Sequence, residues 1–223
     1  MTDNLKPLVK ELSFTSLYKI EYYTGPASSP PEISDLETSL ISTNSCLPEL
    51  ESQIDEYDGF LIACYSDHPL IYKLRELTSK PVLGIFLASI MYALAYTPTH
   101  KFAILTSNNE WEKLLNESLH KFFYGKEFNS DNDNMLLLPS FVEPTLASNI
   151  NVLELKDPEK FEELQNKVSY LVNEKGVKII LLGCAGLSGL DKKFCNIFEG
   201  VIFVDTVKIG VGLLVSLLNL NMI

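Results

Sequence analysis

Val177-Lys-Ile-Ile-Leu-Leu-Gly-Cys184 drives an apolar run into a cysteine, and Asp58-Gly-Phe-Leu-Ile-Ala-Cys64 does the same earlier in the chain. Apolar runs this short, bounded by turn residues, read as strands of a parallel sheet buried on both faces. The echo continues past each cysteine. A polar or glycine turn follows (Tyr65-Ser66; Ala185-Gly186), then a helix-length segment. A second apolar strand is then reached at Gly84, 20 residues after Cys64, and at Asp205, 21 residues after Cys184. Both of those strands open onto a helix. The expected fold is therefore α/β, with two pseudo-symmetric lobes built on parallel sheets. Residues 1–97 with 207–223 form lobe 1, carrying Cys64, and residues 98–206 form lobe 2, carrying Cys184. Ligand sites in such sheets gather at the carboxyl ends of the strands. A pseudo-twofold axis would set the two cysteines face to face across a cleft between the lobes.

Working outward, the remaining segments alternate in the same way. Thr2 or Asp3 caps a helix through Leu5, Leu8, Val9 and Leu12. Tyr18–Tyr23 reads as a strand ending at the turn Thr24-Gly-Pro-Ala-Ser-Ser-Pro-Pro31. A polar helix is expected over residues 31–54 and a short one near Pro69–Thr78. Strands are expected at Pro81–Ile85 and Lys101–Leu105, with helices at Ser89–Ala95 and Glu110–Tyr124. Gly125–Asn134 reads as a loop and Met135–Pro139 as a strand. Pro158–Glu174 has Phe161, Leu164, Val168 and Leu171 on one helical face. Val201–Val204 is a strand, and residues 207–221 close the chain as a helix.

Bulk composition narrows the function. Hydrophobic residues are 46% of the 223 and charged residues 21%, enough apolar material for a core. Lys and Arg total 18 against 29 acids, a net charge of −11, and no basic stripe occurs. A nucleic-acid partner is excluded on that balance. Ile209–Leu218 is too short and too glycine-interrupted to span a bilayer, and Met1-Thr-Asp-Asn-Leu-Lys6 is no signal peptide. A soluble cytoplasmic protein is expected. Cysteines 46, 64, 184 and 195 show no C-x-x-C spacing, so reduced thiols fit better than zinc or disulfides.

A thiol titrates at about 8.5 and lower at a helix N-terminus, so it serves as acid or base near neutral pH. Both cysteines sit where a strand hands over to a helix, and the amides that follow can support a thiolate, a carboxylate or a developing enolate. Inverting a carbon acid needs a base on one face and an acid on the other, and two thiols supply both without metal or cofactor. Taken singly, a cysteine ending an apolar strand is a small buried hydrophobe. The repeated position is what separates Cys64 and Cys184 from Cys46 and Cys195, which read as structural or surface thiols.

Ala63-Cys-Tyr-Ser-Asp-His-Pro-Leu70 and Leu182-Gly-Cys-Ala-Gly-Leu-Ser-Gly-Leu190 resemble the two cysteine motifs of the hydantoin/allantoin racemases, within the aspartate/glutamate racemase superfamily, and particularly its fungal branch. Gly25-Pro-Ala-Ser28, Pro81-Val-Leu-Gly-Ile85 with Ala88-Ser89, Ile104-Leu-Thr-Ser107 with Trp111-Glu112, and Val204-Asp-Thr-Val-Lys-Ile209 extend the likeness over nearly the whole chain. The resemblance implies racemisation at C5 of a 5-substituted hydantoin or allantoin, without cofactor, with Cys64 and Cys184 as acid and base. It also implies that Tyr65, Ser66, Ala185 and Gly186 bind the ring carbonyls or ureide through their amides. Thr106, Ser107 and the loop of Gly25, Pro26 and Ser28 would line the pocket, with His68 and Phe86 as further candidates. A homo-oligomer is expected. Two departures stand out. Family members open with a strand carrying an Asn-Pro-Asn loop, and Met1–Leu8 matches the sequence after it, so the first, central strand is expected to be missing. Leu87 replaces a Glu of many bacterial relatives.

Other readings share these motifs. An amino-acid racemase, or a maleate-isomerase-like enzyme in which one cysteine adds covalently, would use the same turns; an inactive relative would bind a ureide or a protein. His100 and His120 read as surface groups. Asp67, Asp205 and Asp191 read as helix caps, and Trp111 as packing. No G-x-G-x-x-G follows the first visible strand, and no G-x-S-x-G or P-loop occurs.

Overall fold

A computed structural model describes residues 2–128, 136–151, 154–155 and 157–221. The chain forms two compact units, Met1–Ala88 with Val207–Ile223 and Ser89–Thr206.

In the first unit a single turn, Thr2–Leu5, leads into α1 (Lys6–Lys10); Leu5 of the turn and Val9 of the helix are buried. The helix stops short of Leu12 because the Thr15 hydroxyl takes the Leu12 carbonyl at 2.7 Å, a local side-chain bond that competes with helix continuation. Tyr18–Tyr23, expected as a strand, pairs with no strand among the described residues. Tyrosine favours a strand only where a neighbour offers a ladder. Here side chains hold the segment instead: the Tyr18 hydroxyl donates to Asn219, the Tyr23 hydroxyl donates to Glu49, and the Lys6 ammonium lies over the Tyr22 ring. Next comes α2 (Leu36–Ser52), started by a capping box in which Asp35 accepts the Thr38 amide at 2.7 Å and Thr38 Oγ1 accepts the Asp35 amide at 3.1 Å.

The unit's sheet pairs β1 (Phe60–Ile62) with β2 (Val82–Gly84) in parallel, α3 (Pro69–Leu77) making the crossover. β2 is buried, but β1 is only half-buried, against the expectation of a strand covered on both faces. Gly84 lets α3 pack closely, since a Cβ there would stand 2.5 Å from Ile71 Cδ1 and that terminal methyl would have to shift. α4 (Ile85–Leu94) starts directly at the end of β2.

The second unit holds a four-stranded parallel sheet. Its strands are β3 (Phe102–Thr106), β4 (Leu146–Ala147), β5 (Ile179–Leu182) and β6 (Ile202–Asp205), in the order β4-β3-β5-β6. Every residue of β3 and β5 is buried, as continuous apolar strands covered on both faces should be. α5 (Asn109–Tyr124) is capped by Asn108 and ends at Gly125, whose φ of 69° is the left-handed region where glycine is favoured. α5 also supports the short β4: Glu112 Oε1 accepts the Ala147 amide at 2.7 Å and Asn116 Oδ1 the Thr145 amide at 2.9 Å. α6 (Phe161–Ser169) runs on as a wide turn, Tyr170–Glu174, and buries Leu164, Val168 and Leu171 on the expected face. α7 (Asp191–Cys195) precedes β6, and α8 (Thr206–Asn221) follows it.

Three expectations need correction or restriction. Leu136–Pro139 is not a strand; the bridge to β3 falls later, at Val142, where Phe102 donates to Phe141 and accepts from Glu143. Pro139 supplies no amide for a ladder. Met135 and residues 129–134 of the expected loop lie outside the described residues. His120 is buried rather than superficial, its Nδ1 3.0 Å from the Leu137 carbonyl and its ring against Tyr124 and Phe128. It falls on the inner face of α5 with Leu115 and Leu119, a position its residue type alone did not reveal. Among the described residues no helix is long and apolar enough to cross a membrane.

Candidate active site

In the first unit Cys64 stands two residues beyond β1, in the turn before α3. It is half-buried, and its Sγ lies 3.5 Å from Ser66 Oγ. Burial pushes the Cys64 thiol above its ordinary range, and the Ser66 hydroxyl offsets part of that rise. The expected lowering by a helix N-terminus is thus outweighed at this cysteine. The Ser66 amide is engaged within the turn, donating to the Cys64 carbonyl at 3.1 Å. Tyr65 is buried edge-on against Phe86, the ring centroids 5.5 Å apart, so the cysteine turn packs on the first turn of α4.

His68 is the residue that caps α3: its Nδ1 accepts the Leu70 amide at 3.2 Å. An accepting Nδ1 leaves the proton on Nε2. Burial pushes the His68 pKa down to about 4, so the imidazole is neutral near pH 7. Asp67, expected as the cap, instead accepts the Tyr72 hydroxyl. The Gly25–Ser28 loop rests on α2. A Cβ at Gly25 would meet Cys46 Sγ at 2.9 Å, and the Ser45 hydroxyl donates to the Ser28 carbonyl at 3.2 Å.

In the second unit Cys184 follows β5 by one residue, Gly183, and caps the single turn Ala185–Leu187. The Gly186 amide points at its sulfur, 3.4 Å away. An amide directed at sulfur favours the thiolate. Parallel register brings the carboxyl ends of the strands together: Leu105 pairs with Leu182, and Leu182 with Asp205. Thr106 and Ser107 therefore lie beside the cysteine turn. The Thr106 hydroxyl donates to the Gly183 carbonyl at 3.0 Å, while the Ser107 carbonyl accepts the Asn149 amide at 2.7 Å and the Ser148 hydroxyl at 3.0 Å.

Asp205 is buried and does more than start a helix: it accepts the Ser188 hydroxyl and the Gly189 amide. Asp191 occupies the first turn of α7, with Leu190 at the cap position. Trp111 is buried, and Cys46 is buried and Cys195 exposed. Sequence reading did not single out Ser188 or Thr206. Ser188 is a polar residue inside an otherwise apolar motif, and that contrast was the available signal there; Thr206 follows Asp205 in a mixed motif and offered none.

Fold and site together define an α/β protein with parallel sheets that presents a thiol just past a strand's carboxyl end in each of its two units. The chain belongs to the Asp/Glu/hydantoin racemase family, whose model matches residues 1–214. It is 35% identical to Protein DCG1 of Saccharomyces cerevisiae, over 98% of this chain and 91% of that protein. It is 27% identical to a hydantoin racemase of Rhizobium meliloti, over 88% of this chain and 75% of that one. Among solved structures, an allantoin racemase from Pseudomonas fluorescens superposes with a TM-score of 0.77 at 21% identity, covering 99% of this chain and 88% of that one. A glutamate racemase from Campylobacter jejuni shares the fold with a TM-score of 0.64 at 20% identity, over 94% and 80% of the two chains. Family membership sets the activity class as racemase-type isomerisation of a small molecule.

Proposed function

We propose that the protein is a cofactor-independent racemase that inverts C5 of a 5-substituted hydantoin or of allantoin, with Cys64 and Cys184 as the two proton-transfer groups. The observation that carries this reading is the repeated placement of the thiols. Each follows a parallel strand's end, and each sulfur has a hydrogen-bonding partner two residues on, Ser66 Oγ for Cys64 and the Gly186 amide for Cys184. Hydantoin and allantoin racemases among the relatives and fold neighbours supply the substrate class.

C5 of a hydantoin lies between a carbonyl and a ring nitrogen, so loss of its proton leaves an enolate. In one direction the Cys184 thiolate, supported by Gly186, takes the C5 proton. Cys64, kept protonated by burial, returns a proton to the other face. The products are the inverted hydantoin, a Cys184 thiol and a Cys64 thiolate, which is the starting arrangement for the opposite enantiomer. Proton count and charge balance, and no electron transfer is required. The amides of Tyr65 and Ala185 are proposed to hold the carbonyl oxygen as charge develops. Ser107 and the Gly25–Ser28 loop are proposed to line the pocket. Thr106 has its hydroxyl committed to Gly183, so its contribution is to the cysteine turn.

The test is solvent deuterium exchange at C5 of enantiopure hydantoins and allantoin, followed by NMR and polarimetry. Cys64→Ser and Cys184→Ser should each lower exchange of at least one enantiomer by about 100-fold or more. Full activity of either variant would falsify the two-thiol reading. Turnover of free amino acids and of no hydantoin would transfer the substrate assignment to amino acids.

A further inference from the structure

Cys184 is tethered on both sides within its unit. Ahead of it, the Gly183 amide donates to the Leu105 carbonyl at 2.8 Å. The Thr106 hydroxyl donates to the Gly183 carbonyl and the Thr206 hydroxyl to the Leu182 carbonyl, each at 3.0 Å. Thr106 at the end of β3 and Thr206 at the start of α8 thus fix the approach to the cysteine. Behind it, the turn closes with the Leu187 amide on the Cys184 carbonyl at 2.9 Å. The far end of that turn is Ser188, 1% exposed. Its hydroxyl lies 2.7 and 2.8 Å from the two carboxyl oxygens of Asp205, and the Gly189 amide donates to Asp205 Oδ2 at 2.9 Å.

The direction of the Gly186 amide follows the backbone conformation of the turn, which is pinned at both ends. Hydrogen bonds to a carboxylate are among the stronger ones, and burial protects this one from competition by water. We propose that Ser188 and Asp205 are positioning residues that hold the Gly186 amide against the Cys184 sulfur and thereby keep that thiol reactive. The catalytic consequence rests on the reading of Cys184 as a proton-transfer group, but the reactivity of the thiol is measurable without any substrate.

The experiment is alkylation of the full chain by iodoacetamide at pH 7.5. Mass spectrometry of the peptides carrying Cys64 and Cys184 follows each rate, with Cys64 as internal reference. Ser188→Ala should slow alkylation of Cys184 relative to Cys64 by about 3- to 10-fold, the size of one lost hydrogen bond. Ser188→Thr keeps the hydroxyl and should return the wild-type ratio. An unchanged ratio in Ser188→Ala overturns the proposal, as does a Ser188→Thr profile that matches Ser188→Ala. An equal change at both cysteines, including one produced by global unfolding, also overturns it, because the role would then be merely structural. Deuterium exchange on the same proteins separates the two claims. A slowed Cys184 with no exchange even in the wild type leaves positioning standing and removes the hydantoin and allantoin assignment. Wild-type exchange with an unaltered alkylation ratio does the reverse.

Discussion

β5 is wholly buried and pairs with β3 on one side and β6 on the other, whereas β1 is half-buried and, among the described residues, pairs only with β2. The residues themselves do not predict this difference. Phe60-Leu-Ile62 is about as apolar as Ile179-Ile-Leu-Leu182, and both lead into a cysteine. What differs is the number of neighbouring strands, and the thiols inherit it. Cys184 is reached through contacts from Thr106 at the end of β3, Thr206 at the start of α8 and Asp205 at the end of β6. The polar partner of Cys64 described above, Ser66, lies two residues away in its own turn. A repeated motif can therefore present the same side chain from supports of unequal strength.

The largest effect expected from this contrast is on stability. Leu181→Ala removes a fully buried side chain from β5 and should cost about 3–4 kcal/mol, while Leu61→Ala in half-buried β1 should cost about 1–2 kcal/mol. Urea unfolding followed by circular dichroism measures both, and equal losses would break the comparison.

A second effect concerns the turn after Cys64. The His68 pKa is pushed down to about 4 from 6.5, so between those values the unfolded chain binds a proton that the native chain does not. The stabilisation is complete above pH 6.5 and is lost as pH falls toward 4, by at most about 3 kcal/mol. His68→Asn retains a capping acceptor and should flatten that slope in a series of unfolding midpoints. A slope equal to that of the wild type would rule out His68 as its source.

The smallest effect sharpens the contrast between the sulfurs. Ser66→Ala removes a hydroxyl that draws the Cys64 thiol downward, so alkylation of Cys64 at pH 8 should slow by about 2- to 5-fold with Cys184 unaffected. A faster Cys64 would show that the Ser66 hydroxyl shields the thiol rather than supporting its ionised form.

Much of the architecture was legible because it is written in local pattern. The apolar runs at β1, β2, β3, β5 and β6 are strands, and the face of α6 carrying Leu164, Val168 and Leu171 is buried. Failures cluster where local pattern needs a distant partner. Tyr18–Tyr23 has strand composition without a ladder, and Leu136–Pro139 gives way to a bridge at Val142. The site shows the same division. That the cysteines stand at strand ends could be read directly, but the cap of α3 proved to be His68 rather than Asp67. Either residue type can cap, and packing of the imidazole decided between them.

The order of strands and helices, and the position of each thiol just past a strand, follow from hydrophobic periodicity and turn residues within a few positions of chain. The sequence by itself determined that much. Only the tertiary structure decided which polar groups are buried and what they hold. Ser188 meets Asp205 across 17 residues, and Thr106 meets Gly183 across 77. Parallel register brings those partners to one end of the sheet, and a buried polar group must find its partner wherever the fold has carried it.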